Sequence, residues 1–70
     1  MGKQSVAKVI ELVGSSEKGW SEAADTAVMT ASKSIKNITG VEVVSQTAHV
    51  EDGNIVTFKS TVKVAFGVEG

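Results

Sequence analysis

Residues 39–68, TGVEVVSQTAHVEDGNIVTFKSTVKVAFGV, decide the fold. Two apolar-polar alternating runs flank Glu51-Asp52-Gly53-Asn54, and Asp-Gly between such runs is a strong short-range hairpin signal. In the second run Val56, Phe58, Val62, Val64, Phe66 and Val68 share one face, interrupted only by Ser60. Thr57, Lys59, Thr61 and Lys63 occupy the other. Strict period-2 alternation means that one face is buried and the other meets something polar.

Upstream of the hairpin the period changes. Trp20, Ala24, Ala27, Ala31, Ile35 and Ile38 recur at spacings of three and four, with Ala23 and Val28 widening the stripe. This predicts an amphipathic helix of about five turns, roughly 18 residues long. Glu22 and Asp25 fall near its start and Lys33 and Lys36 near its end, each sign favourable against the helix dipole. Ser5–Val13 reads as a first strand with apolar residues on both faces, which calls for cover on both. Gly14-Ser15-Ser16-Glu17-Lys18-Gly19 has the composition of a turn. Met1–Gln4 is polar and is expected to fray.

The expected order is therefore β-α-β-β, an α+β fold. If the connection through the helix is a right-handed crossover, the third strand fits between the first two. That gives a three-stranded antiparallel sheet of order 1-3-2 wrapped round one helix, with residues 1–70 as a single domain. Hairpin strands of about 13 residues extend to roughly 43 Å, whereas the helix covers about 27 Å. Apolar strand surface must overhang the helix, and a monomer would leave it bare.

Composition points the same way. A single core in a chain of about 70 residues rarely supplies more than roughly 3 to 5 kcal/mol. With no cysteine and one histidine, neither disulfides nor a tetrahedral zinc site can reinforce it. Self-association is the remaining route. The seven basic residues are all lysine and stand against eight acidic ones, a balance that disfavours nucleic-acid binding. No apolar run reaches the length of a membrane span and no secretory leader pattern is visible, so a soluble, cytoplasmic protein is expected.

Few residues invite chemistry. His49, near the hairpin turn, lacks a neighbouring nucleophile or second ligand, and a solvated or interface role is expected. Ser15 and Ser16 read as turn or cap residues. Glu51, Asp52 and Asn54 place oxygens around the turn, but their spacing does not fit a twelve-residue calcium loop. Trp20 reads as a packing residue. Lys59 and Lys63 share a face and read either as solvated edge lysines or as a positive patch in an oligomer. No nucleophile, base and orienting group converge, so no enzyme is expected.

Taken in order, Ile10-Glu11-Leu12-Val13-Gly14-Ser15-Ser16, Ala31-Ser32-Lys33-Ser34, Val41-Glu42-Val43-Val44, His49-Val50-Glu51-Asp52-Gly53 and Thr61-Val62-Lys63-Val64-Ala65-Phe66 resemble the dodecin family over nearly the whole chain. The resemblance implies a hollow homododecamer that binds and stores flavin, riboflavin or FMN, without catalysis. It also implies a pocket with a stacking tryptophan just before Val-Glu-Val and a glutamine in the middle of the last strand. This chain has Gly40 and Lys59 at those positions.

An aromatic stack contributes on the order of 1 to 3 kcal/mol per contact. Lys59 replaces the paired donor and acceptor of an amide with a charged donor and suits phosphate better than a flavin edge. The implied ligand-binding residues are Thr39, Gly40, Ser45, Thr47 and Lys59. Weakened flavin binding is expected, with coenzyme A or another phosphate-bearing ligand as the alternative cofactor. The alternative function is a ligand-free or ion- or anion-binding structural shell.

Overall fold

A computed structural model describes residues 5–68; the expectation for Met1–Gln4 lies outside the described residues. Four elements follow in order: β1 (Val6–Ser16), α1 (Trp20–Ser32), β2 (Ile38–Glu51) and β3 (Asn54–Val68). The sheet is antiparallel with order β1-β3-β2, as the hairpin and crossover require. At the hairpin turn Asp52 and Gly53 have φ of 52° and 78°. This left-handed pair suits the right-handed twist of the flanking strands, and Asp and Gly tolerate it.

The alternation in β3 sorts its residues as expected. Ser60, Val62 and Val64 are buried beneath the helix, while Lys59 and Lys63 are exposed. Ala23, Ala27 and Ala31 are the buried residues of α1, and Ile10, Leu12, Ala24, Val28 and Ile38 complete the core around Ala27, Val62 and Val64. Small helix residues allow close approach to the sheet, and Gly14 completes it from the other side. A Cβ there would collide with the Ala23 carbonyl oxygen and stand 3.1 Å from the Ala27 Cβ.

Two boundaries differ from the sequence reading. Gly14, Ser15 and Ser16 do not turn; they continue β1 opposite Ser60, Lys59 and Phe58. Gly14 is held in the strand by helix packing, which local composition does not encode. The helix, in turn, has 13 residues rather than 18 and ends at Ser32. Ser32 donates from its hydroxyl to the Met29 carbonyl oxygen at 2.8 Å, the kind of side-chain to backbone bond that competes with helix propagation. Asn37 then takes φ of 66° and its carbonyl accepts from the Gly67 amide at 3.0 Å, so the chain reverses into β2. Ile35 and Ile38 thus lie beyond the helix, and Ile38 reaches the core from β2. Lys33 is the helix C-cap and Lys36 lies outside the last turn, so Lys36 is not a helix-terminal charge.

The shorter helix leaves more strand uncovered. The described residues extend 56 × 20 × 15 Å, against about 20 Å of helix. Val41, Val43 and Val44 of β2 are each about half exposed, as are Val6, Val9 and Val13 of β1.

Candidate ligand-binding face

The face of the sheet turned away from α1 is built from cross-strand rows. Because directly opposed residues project to the same side, the register places Val9, Ala65 and Gly40 in one row and Glu11, Lys63 and Glu42 in the next. Val13, Thr61 and Ser45 form a third row, and Ser15, Lys59 and Thr47 a fourth. His49 lies opposite Thr57 nearer the turn. β2 has register shifts between Ile38 and Gly40, between Val43 and Ser45 and between His49 and Val50, and the second moves the outer face from odd-numbered residues (Ser45, Thr47, His49) to even-numbered ones (Glu42, Gly40).

Val9, Gly40, Val41, Glu42, Lys63 and Ala65 line an open concavity of about 440 Å³. Its width comes from Gly40, where an added Cβ would meet nothing within 4 Å. Two apolar side chains, Val9 and Ala65, form the wall beside it, and charged groups occupy the adjoining row.

Of the residues implied by resemblance, Gly40 lines this concavity. Ser45, Thr47 and Lys59 lie on the same face but farther along it; Lys59 is six residues from Ala65, roughly 20 Å along the strand. Thr39 sits in the register shift beside Gly40 and is exposed. One protomer therefore does not gather the five residues into a single pocket. Lys59 is flanked by the hydroxyl residues Ser15 and Thr47. Lys63 is flanked by Glu11 and Glu42, so within one protomer the two lysines do not form a continuous positive patch.

Glu11, Glu42, Val9 and Ala65 are the participants that residue types alone do not pick out. The hairpin contains the signal for one of them. Counting back from Asp52-Gly53 with paired numbers summing to 105 gives Glu42 opposite Lys63 and Gly40 opposite Ala65, a match that holds because the register shifts at His49/Val50 and Val43/Ser45 cancel.

The phenylalanine and tryptophan rings all lie on the opposite side of the sheet. Phe66 shares its row with Ile38, and Phe58 meets Trp20 edge to face, with ring centroids 4.8 Å apart. Trp20 is fixed at the helix start. Its indole N–H donates to the Thr47 carbonyl oxygen at 2.8 Å, and its own carbonyl accepts from the Ser60 hydroxyl at 2.8 Å. It packs, as expected, and cannot take the place of a ring at Gly40.

His49 Nε2 lies 3.1 Å from Glu51 Oε2, with both side chains more than half exposed. The Asn54 side-chain amide donates to the Asp52 carbonyl oxygen at 3.4 Å across the hairpin turn. No group of three or more metal-ligating side chains occurs among the described residues. Among the same residues no helix is long and apolar enough to cross a membrane.

The comparisons with known proteins agree with this architecture. The calcium dodecin of Mycobacterium tuberculosis is 34% identical over 62 residues, covering 89% of this chain and 87% of that protein. The structure of dodecin from Streptomyces coelicolor superposes with a TM-score of 0.92 at 28% identity, covering 99% of both chains. That of dodecin from Streptomyces davaonensis gives 0.90 at 28% identity, covering 97% of this chain and 100% of the other. The family model described as Dodecin matches residues 6–69, and the chain belongs to the dodecin family.

Proposed function

We propose that this protein is a non-catalytic small-ligand binding and storage protein, acting as one dodecin-like domain that assembles into a hollow homododecamer. Its ligand chamber forms where the outer sheet faces of neighbouring copies meet. Family membership supports the binding role, and the uncovered valines of β1 and β2 support assembly, since apolar surface of this kind is normally buried against a partner.

The observation that carries the ligand reading is the concavity at Gly40. Open, apolar on one side and polar on the other, it matches the general character of a small-molecule site. A flavin ring is the ligand by resemblance, held more weakly because neither a ring at position 40 nor an amide at position 59 is available. Lys59 and Gly40 of one copy are too far apart to serve one ligand, so the chamber draws on more than one copy.

A second reading is a shell that holds ions. The two carboxylates beside Lys63 favour it, as does the similarity to a relative named for calcium.

Native mass spectrometry of the purified, undialysed protein tests both. Twelve chains with flavin-sized mass increments support storage. Twelve bare chains that bind calcium on titration and leave riboflavin fluorescence unchanged favour the ion-holding shell. A monomer overturns the proposal.

A further inference from the structure

We infer that the Glu11–Lys63–Glu42 row makes the chamber select uncharged ligands over phosphorylated ones, an inference that rests on the ligand-binding reading above. The register sets Lys63 directly between the two glutamates. All three side chains are exposed on the outer face, and Glu42 and Lys63 themselves line the concavity. Lys63 therefore confronts a ligand together with two carboxylates. The row carries two negative charges and one positive, a net charge of −1 at the wall of the chamber.

Within one copy, no other lysine among the described residues of this face lies close enough to offset that charge. Lys59, the other lysine of the outer face of β3, is four residues from Lys63, roughly 13 Å along the strand. That exceeds the screening length of about 8 Å at physiological ionic strength. The only ion pair within 4.0 Å among the described residues is His49–Glu51, so the row's charges are not locked together and all three face whatever enters. An uncharged ring with hydroxyl groups meets donors and acceptors there. A phosphate ester meets net repulsion and must also give up its hydration.

Riboflavin and FMN make a matched pair of probes, since FMN adds only the phosphate ester. Fluorescence titration of the assembled protein is expected to give riboflavin at least about tenfold tighter binding than FMN, which is about 1.4 kcal/mol. The ratio should fall as salt is added. Glu42→Gln and Glu11→Gln should each narrow it, and Lys63→Gln should widen it. Changes of opposite sign from neighbouring exposed positions exclude a general loss of folding as their cause. FMN binding as tightly as riboflavin, or a ratio that ignores all three substitutions, overturns the inference while leaving the ligand-binding reading intact. Binding of neither probe overturns the flavin reading and the inference with it.

Discussion

The indole N–H of Trp20 donates to the backbone carbonyl of Thr47, 27 residues away and on an edge strand. It joins the first residue of the helix to β2, a strand that the helix otherwise hardly touches. Trp20→Phe keeps an aromatic edge for Phe58 but removes the donor. We expect a loss of about 0.5 to 1.5 kcal/mol, measured by urea unfolding. An unchanged midpoint would mean that the bond contributes nothing net.

Ser60 interrupts the apolar stripe of β3 for a related reason. It is fully buried, and its hydroxyl donates to the Trp20 carbonyl oxygen, which lies in the first turn of α1. Ser60→Ala leaves that oxygen without this partner and should cost about 1 to 3 kcal/mol. Denaturant titration at constant slope would check it. Ser60→Val, which adds volume as well, should be worse.

Gly14 marks the closest approach of helix and sheet. Gly14→Ala puts a methyl group into the Ala23 carbonyl and should destabilise by about 1 to 3 kcal/mol or more, read as a lowered thermal midpoint. Gly40→Ala is the control. It adds the same methyl where nothing lies within 4 Å, and it should leave the midpoint nearly unchanged.

Gly40→Trp combined with Lys59→Gln tests the chamber itself. Each added ring should contribute on the order of 1 to 3 kcal/mol of stacking, which corresponds to roughly 5- to 150-fold tighter riboflavin binding. Fluorescence titration and native mass should show tighter binding on an unchanged assembly. A double variant with unaltered affinity would place the ligand elsewhere.

How much of this was written in the chain depends on how local each signal is. The hairpin turn is local, since Asp52-Gly53 sets it, but counting from the turn reaches the row of Gly40 and Ala65 only because the register shifts at His49/Val50 and Val43/Ser45 cancel. Ser60 was visible as an interruption, but its partner is 40 residues away and no spacing rule identifies it. The end of β1 is not legible in the chain because Gly14 resembles a turn glycine, whereas its small size serves the helix packed above it. The stripe outruns the helix because Ile35 and Ile38 continue it by number although both lie beyond Ser32, and Ile38 joins the core from β2. Of the candidate site, Gly40 stands out only by resemblance, whereas Lys59 also stands out by its shared face with Lys63. Glu11 joins Lys63 through the β1–β3 register, which no turn connects and which tertiary packing alone determines.

The confinement of Trp20, Phe58 and Phe66 to the helix side has a practical consequence. The only indole of the chain, Trp20, sits behind the sheet, and the outer face has no chromophore of its own. Trp20 emission should therefore follow the packing of helix on sheet, while the emission of a bound ring follows occupancy of the chamber. A single sample then carries two separable optical signals, one for folding and one for loading, without any label being introduced.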